Sequence, residues 1–429
     1  MKKNVVSLCE GITLHHIPVD KFTSNHFSVH FVTPLAKKTV SLYSLLSKIF
    51  TNGCTTYPDK ESFSKKTADL YAAIFSASVT KIGEEESLSL SINALDECLA
   101  YDGMHLNEEA FSLLREVILH PVTENGIFPL DVVEREKKVL IDEIEAAINN
   151  KNTYAIKRCR EVMCEGELYS LAVEGDTAQV RSATASALYQ AYETLLHTAR
   201  IEIIYIGRET LDVVRARATS LAGALGARQY SSAKPYRKSA AEDVRLVTES
   251  VSAIQGKLAM GFRLAEDIDT RTLDALRLFN LIYGASPIAK LFMNVRERLS
   301  LCYYCASRMD PHKGIMFVYS GVENEKMPVA EEEIVRQLEE IRQGRVTEEE
   351  LLCAQKAMRD VSRSITDSSL GIERWVLDKT VTGENRMPDE VSAAIDELTV
   401  EDVAKVASLI RLDTIFRLTG TEGGASDAV

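Results

Sequence analysis

The order of predicted strands and helices repeats once along the chain, and this repeat constrains the fold more than any other feature. Each half contains a strand, a helix, two strands, three helices and a last strand, and each last strand is an apolar run that ends at glycine: IIYIG at 203–207 and IFRLTG at 415–420. Runs of strands followed by runs of helices are typical of antiparallel sheets covered by helices. We therefore predict an α+β protein with two similar domains, each a mainly antiparallel sheet with helices packed on one face.

The boundary between the two halves is predicted from a change in composition. Residues 226–247 contain Lys, Ser, Pro and Arg without apolar periodicity, which is typical of a linker. We expect domains at 1–225 and 248–420 on either side of it. Residues 421–429 are small and polar, and we expect them to be a disordered tail.

Charge and hydropathy exclude several classes of partner. The formal net charge is −13, so the surface is expected to repel nucleic acid and anionic membranes. No apolar run approaches the roughly 18 residues of a membrane span. Glu10 interrupts the first apolar stretch, which lacks the core of a signal peptide. These features predict a cytoplasmic protein.

Cysteine and histidine pairs do not predict a metal site of their own. Cys302 and Cys305 form a C-x-x-C without the second pair that a zinc ribbon requires, and on a regular strand residues three apart face opposite sides. A structural role is therefore the favoured interpretation. His26 and His30 would share one face of a strand but stand roughly 13 Å apart, too far to bind one metal ion.

Five segments together resemble a known family. They are FTNGCTTYP at 50–58, EREKKVLIDEI at 134–144, IEIIYIG at 201–207, QGKLAMGFR at 255–263 and SPIAKLFMNVRERLSLCYY at 286–304. The set is similar to the M16 (pitrilysin/insulinase) peptidases, which implies two α+β domains of the M16 / LuxS-like metallohydrolase type. It also implies that two such chains or halves close around a peptide. The chain is most similar to zinc-less bacterial members that pair with a zinc-bearing homologue, a subgroup whose name links it to modification of elongation factor P.

The zinc motif of that family is replaced in this sequence. The family uses H-x-x-E-H on its first helix, where two imidazoles bind Zn²⁺ and the glutamate acts as general base. Alignment on Gly53 puts Ser44, Ser47 and Lys48 at these positions, whereas alignment on Phe50 puts Tyr43, Leu46 and Ser47 there. Residues 31–60 contain neither His nor Glu, so we expect no zinc and no other cofactor in either alignment.

Two carboxylates on a later helix match the remaining part of the family's site. The resemblance makes Glu143 the third zinc ligand and Glu136 its companion, seven residues earlier on one helix face. A single glutamate does not hold Zn²⁺, and an ordinary salt-bridged helix face remains the alternative for both residues.

Arg296 and Tyr303 match a pair that binds substrate in active members of the family. The resemblance implies that their guanidinium and phenol donate to the peptide backbone and to the oxyanion. The alternative is an arginine that ends an amphipathic helix and a tyrosine on a half-buried strand. Ser300 replaces the family's glycine next to them, which affects the turn more than the side chains.

These observations leave three functional hypotheses. In the first, the chain is inactive alone and is the non-catalytic subunit of an M16-type metallopeptidase. It would then supply Arg296 and Tyr303 to a zinc-bearing partner that cleaves extended peptides. The partner is a heterodimeric homologue or a second copy in a homodimer. In the second, the chain is a peptide-binding scaffold without a role in proteolysis, and in the third it is an active zinc peptidase with an unusual ligand set.

Overall fold

A computed structural model describes residues 1–101, 103–226, 228–233, 236–252, 255–264 and 268–421. The predicted tail lies outside these residues apart from Thr421, the last residue of a strand. The chain forms two compact units that are not simple halves of the sequence. Unit 1 comprises Met1–Glu145, Leu171–Lys234 and Asp367–Asn385, and unit 2 comprises Ala146–Ser170, Pro235–Thr366 and Arg386–Val429.

The strands divide between two sheets, one in each unit. They are β1 (Asn4–Cys9), β2 (Ile12–Pro18), β3 (Ser24–Pro34), β4 (Ile74–Ile82), β5 (Glu85–Leu95), β6 (Arg200–Gly207), β7 (Arg245–Ser252), β8 (Gly256–Leu264), β9 (Cys302–Asp310), β10 (Ile315–Val322) and β11 (Ile410–Thr421). The first sheet has the order β1-β2-β6-β3-β5-β4 and the second has the order β7-β11-β8-β10-β9. Each contains one parallel pair, β2 with β6 and β11 with β7, and its other pairs are antiparallel.

Helices connect and cover the strands. They are α1 (Val40–Ile49), α2 (Lys60–Asp69), α3 (Leu106–Leu119), α4 (Leu130–Ala146), α5 (Lys151–Met163), α6 (Thr177–Ser182), α7 (Ala185–Thr198), α8 (Leu211–Leu225), α9 (Thr270–Asn280), α10 (Met327–Arg342), α11 (Glu348–Thr366), α12 (Ser369–Val381), α13 (Pro388–Asp396) and α14 (Val400–Leu409). Two π-helical segments follow α9, at Leu281–Ala285 and Phe292–Arg298. Among the helices of the described residues, none is long and apolar enough for a bilayer crossing.

The central strand β3 explains how unit 1 is layered. Its sequence alternates so that Phe27, Val29 and Phe31 belong to the main hydrophobic cluster of the unit. His26 and His30 are equally buried but point to the opposite face, because successive side chains of a strand alternate. Both faces of this strand are therefore covered.

The prediction of an α+β protein with two mainly antiparallel sheets and packed helices is confirmed. The structure adds a helix on the second face of a sheet in each unit. In unit 1, α12 packs against β6 although it lies far along the sequence. In unit 2, α5 packs on β8 and β11 through Cys159 and Met163. A Cβ at Gly261 would lie 2.5 Å from Met163 Sδ, so glycine is required for this close approach.

The division of the sequence at 226–247 stays a prediction, and the structure groups residues differently from it. Ala146–Ser170 joins unit 2 and Asp367–Asn385 joins unit 1, because packing of α5 and α12 on a sheet face outweighs proximity in the chain. The last residues of the predicted linker, from Arg245 on, begin β7, whose alternating half-exposed pattern is that of an edge strand.

Candidate functional site

Helix α1 carries the positions that correspond to the zinc motif. Its inward face presents Tyr43, Leu46 and Phe50 to the hydrophobic core of unit 1. The alignment on Phe50 would therefore place two ligand positions, Tyr43 and Leu46, inside an apolar core. The alignment on Gly53 instead uses Ser44, Ser47 and Lys48, which are polar and lie outside the hydrophobic cluster. The packing favours the Gly53 alignment.

The turn after α1 depends on Gly53. Its φ is +131°, and a Cβ there would lie 2.2 Å from the carbonyl oxygen of Tyr57. Cys54 and Tyr57 then pair across the turn as an isolated bridge. Only glycine fits this geometry, so the turn requires Gly53 whether or not the preceding helix carries metal ligands.

The two serines of α1 are buried and offer no charge to a metal. Ser44 is 3% exposed and Ser47 is 4% exposed. The Ser47 hydroxyl donates to the carbonyl oxygen of Ser44 at 2.7 Å, as serines inside helices often do.

Lys48 forms an ion pair with the carboxylate that corresponds to the family's third ligand. Its Nζ lies 2.7 Å from Oε1 of Glu143 on α4, and the two side chains are 30% and 52% exposed. In the Gly53 alignment these are two positions that would share one zinc ion in a metal-bearing relative. Here an ammonium group occupies that space, repels a dication and neutralises the carboxylate.

Glu136 is also held by cations. It is 4% exposed, and its Oε1 lies 3.2 Å from Nζ of Lys60 at the start of α2 and 3.2 Å from Nε of Arg135. Both carboxylates are thus committed to salt bridges, the alternative considered for them from the sequence.

The residues present do not fit the zinc ion that the family resemblance implies. Two hydroxyls, an ammonium group and one paired carboxylate cannot supply the three nitrogen or oxygen ligands of a catalytic zinc site. In the part of the chain that the structure describes, no group of three or more His, Cys, Asp or Glu side chains is arranged to hold a metal ion. No metal-dependent step is derived for this chain.

Arg296 lies in unit 2 on the π-helical segment Phe292–Arg298. Its guanidinium carbon is 4.6 Å from the centre of the Phe292 ring, and its Nε lies 3.5 Å from Oε1 of Glu297. The side chain is 42% exposed. Stacking on the ring limits the rotamers of the side chain and leaves donors directed to solvent.

Tyr303 is 77% exposed on β9, the edge strand of the second sheet. A half-buried tyrosine was the structural alternative, and this exposure disagrees with it. A tyrosine that packs little of its ring contributes little to the stability of the fold.

Ser300 adopts the backbone conformation that suits glycine. Its φ is +49°, in the left-handed region, at the end of the π-helical segment. Its N–H donates to the carbonyl of Arg296 at 3.0 Å, and the N–H of Leu301 donates to that of Val295 at 3.1 Å. These two bonds close the helix end in the manner of a C-cap. The turn expected from the family is retained with a serine in the glycine position.

A buried cluster on the second face of the first sheet was not predicted. Nε2 of His26 and Nε2 of His30 each lie 3.1 Å from a different carboxylate oxygen of Glu373, on α12. The sequence placed the histidines on one face, as observed, but it could not indicate a carboxylate from a helix more than 300 residues away. The two oxygens of one carboxylate thus each contact one of the histidines.

Comparison with known proteins supports the resemblance to the M16 peptidases. Residues 182–358 match the family profile described as Peptidase M16 inactive domain. The chain is 27% identical over 417 residues to the "Probable inactive metalloprotease YmfF" of Bacillus subtilis, covering 97% of both chains. These matches confirm the resemblance to the M16 peptidases.

Solved structures agree with this assignment at the level of the fold. A conserved protein of Enterococcus faecalis V583 is 27% identical, with a TM-score of 0.89 and coverage of 99% of this chain and 100% of that one. The peptidase M16 inactive domain from Pseudomonas fluorescens is 19% identical, with a TM-score of 0.80 and coverage of 98% and 99%. Together with the replaced motif, these likenesses describe an inactive M16-type protein.

Proposed function

We propose that this M16-type chain is a non-catalytic subunit that binds an extended peptide and supplies Arg296 and Tyr303 to a zinc-bearing homologue. The observation that carries the proposal is the difference between the zinc-motif positions and the Arg296–Tyr303 pair. The zinc-motif positions are closed by the Lys48–Glu143 ion pair, whereas Arg296 and Tyr303 remain exposed. The first position is thus closed to a metal ion, whereas the second pair is accessible to a ligand.

The chemistry of the exposed pair suits an anionic or carbonyl-rich ligand. The guanidinium is a fixed-charge donor with a planar fork, and the phenol is a single neutral donor. Such donors hold peptide carbonyl groups and stabilise an oxyanion that forms in an active site supplied by a partner. Neither group cleaves a peptide bond, so the zinc ion and the general base come from the second chain.

Strand β4 supports binding of an extended segment to unit 1. It is the last strand of the first sheet, and its side chains alternate between exposed and partly buried, from the exposed Ile74 onward. Helix α1 contacts the same strand. An edge strand has unpaired backbone donors and acceptors that can pair with an incoming peptide strand.

A scaffold without any role in proteolysis is the second candidate. The observation that favours it is the state of α1, where Ser44 and Ser47 are buried and Lys48 holds Glu143. In this case the chain would bind a peptide or a partner, and Arg296 and Tyr303 would be dispensable for turnover.

The two candidates separate in a reconstitution experiment. The zinc-bearing homologue is isolated by co-purification from the native cell and mixed with the full-length chain, and cleavage of extended peptides is measured. We expect cleavage by the mixture and none by either chain alone. Arg296→Ala and Tyr303→Phe should lower kcat by about 10²–10³, the usual effect of removing one oxyanion donor, while the complex stays intact.

Matched control variants test whether the effect is specific to this pair. Arg298→Ala removes a neighbouring arginine on the same segment, which pairs with Glu333 at 3.2 Å. Tyr101→Phe alters a tyrosine that is 97% exposed in unit 1. Both should leave turnover unchanged. Equal activity of Arg296→Ala, Tyr303→Phe and the controls would favour the scaffold.

A further inference from the structure

The C-x-x-C on β9 lies in a β-bulge, and the expectation that its cysteines face opposite sides is wrong. Cys302 pairs with Val322 and Cys305 with Ser320, so three steps along β9 oppose two steps along β10. The extra residue shifts the alternation of side chains by one. Cys302 and Cys305 therefore face the same side of the strand, and each thiol affects the pKa of the other.

The two thiols differ in access. Cys305 is 3% exposed, and Cys302 is partly exposed on the edge strand. Ser320, the cross-strand partner of Cys305, donates its hydroxyl to the carbonyl oxygen of Tyr304 at 2.6 Å, and the charge of Arg296 acts on Cys302. The outer thiol is thus the one that a reagent in solution reaches first.

The surroundings of the two thiols give Cys302 and Cys305 different pKa values. The hydrogen bond with Cys305 lowers the pKa of Cys302 to about 7, with support from Ser320 and Arg296 and against the effect of partial burial. The pKa of Cys305 is raised well above its usual value, first by the bond with Cys302 and then by burial. A partly exposed thiol of lowered pKa beside a buried one is the arrangement of a nucleophilic and a resolving cysteine.

We propose that Cys302 and Cys305 form a redox-active dithiol that exchanges with low-molecular-weight disulfides. The Cys302 thiolate attacks one sulfur of the external disulfide, a new S–S bond forms to Cys302, and one thiolate leaves. The Cys305 thiol then loses its proton, and its thiolate attacks Cys302 Sγ and releases the second thiolate. Two protein thiols are oxidised to one disulfide, and the external disulfide is reduced to two thiols.

The other cysteines do not share this arrangement. Cys159 and Cys164 are buried in unit 2, and burial raises the pKa of Cys159. Cys54 is buried and Cys9 and Cys98 are exposed in unit 1, and Cys353 is partly exposed in unit 2. Tyr303 lies inside the four-residue ring that the Cys302–Cys305 disulfide would close, but the proposal does not depend on the peptide-binding role of Tyr303.

Oxidation of the full-length chain tests the proposal. The reduced protein is incubated with oxidised glutathione, and its disulfides are mapped by mass spectrometry. We expect two of the eight thiols to be lost, with the Cys302 and Cys305 peptides linked. Cys305→Ser should retain a mixed disulfide with glutathione on Cys302, and Cys302→Ser should give no link. At about pH 7, alkylation of Cys302 should be on the order of tenfold faster than that of Cys98.

Cys98→Ser is the matched control and should leave the Cys302–Cys305 link unchanged. Glutathione retained on Cys302 of the unmodified protein without the link would overturn the proposal, as would equal alkylation rates at Cys302 and Cys98. If a serine variant fails to fold, the disulfide map and the alkylation rates of the unmodified protein still test the proposal. Loss of peptide binding in the reconstitution experiment would leave these results unchanged, so the two proposals fail separately.

Discussion

At residue 48, a single lysine changes the electrostatics of the position that aligns with the second histidine of the family motif. A neutral residue there would remove one ligand, whereas the ammonium group also repels Zn²⁺ and pairs with Glu143 at 2.7 Å. The pair is half-exposed, so it stabilises the fold by no more than about 1 kcal/mol. Its main consequence is therefore functional, because the ion pair prevents the Glu143 carboxylate from binding a metal ion.

Ser300 carries backbone strain that glycine would relieve. A left-handed conformation costs an L-residue about 1–2 kcal/mol, and glycine offsets part of that gain through its greater freedom in the unfolded chain. We expect Ser300→Gly to raise the free energy of unfolding by about 0.5–1 kcal/mol. Chemical denaturation of the full-length chain measures this change.

Leu299→Gly is the matched control for this prediction. Leu299 has φ −95°, in the right-handed region, so glycine there should lower the free energy of unfolding by about 1 kcal/mol. Ser300→Ala should have little effect, because it keeps the Cβ and removes only an exposed hydroxyl. If both glycine variants are equally destabilised, Ser300 does not occupy the left-handed region in solution.

At the scale of elements, helix α12 is attached to the first sheet through a buried charge. Burial by itself would raise the pKa of Glu373, but the contacts with His26 and His30 outweigh this effect and hold the pKa far below its usual value. The carboxylate is thus more stable ionised in the folded state than in the unfolded chain, and it stabilises the fold wherever the unfolded chain is also ionised.

Glu373→Gln should lower the free energy of unfolding by about 2 kcal/mol at neutral pH, because it removes the charge from a buried site. A depressed pKa contributes stability above the unfolded value of about 4.3 and loses it as the pH falls. The difference in the free energy of unfolding between the variant and the unmodified protein should therefore begin to shrink below about pH 4.3. Denaturant titrations at several pH values measure it.

The control for this prediction is Glu193→Gln, on the exposed face of α7, which should change stability by less than about 0.5 kcal/mol. A Glu373→Gln variant as stable as this control at neutral pH would show that the carboxylate does not bind α12 to the sheet. Limited proteolysis gives an independent measure, because weaker docking of α12 should increase cleavage within 367–385.

For the whole molecule, the replaced motif predicts that the chain alone carries no stoichiometric zinc and hydrolyses no peptide. The physical reason is the ligand set, since Ser44, Ser47 and Lys48 supply no imidazole and Glu143 is paired. Metal analysis after dialysis measures the zinc content, with the zinc-bearing homologue treated identically as control. Retained stoichiometric zinc together with chelator-sensitive hydrolysis would contradict this expectation and favour an unusual ligand set.

The packing of the chain could be predicted only in part. Period-two and helical patterns predicted the sheets, their helices and the buried strand at 201–207. They did not predict α13 or β7, where short segments carry little apolar periodicity. They also could not distinguish the π-helical segment that bears Arg296 from an ordinary helix, because the two differ in backbone hydrogen bonding rather than composition.

The candidate site, too, could be predicted only in part from the sequence. The loss of the zinc ligands could be read from residues 31–60, since no fold supplies an imidazole that the sequence lacks. The choice between the two alignments required the packing of α1, which buries Tyr43 and Leu46 in the core. The pairing of Lys48 with Glu143 required a helix contact between residues 95 positions apart.

The sequence by itself determined the fold class and the absence of a family zinc motif, because both depend on residue types and local periodicity. Only the tertiary structure decided that α5 and α12 join different units from their sequence neighbours, that Glu373 lies between His26 and His30, and that a bulge aligns Cys302 with Cys305. These features depend on how distant segments pack and pair, and one added residue in a strand reverses the direction of every side chain beyond it.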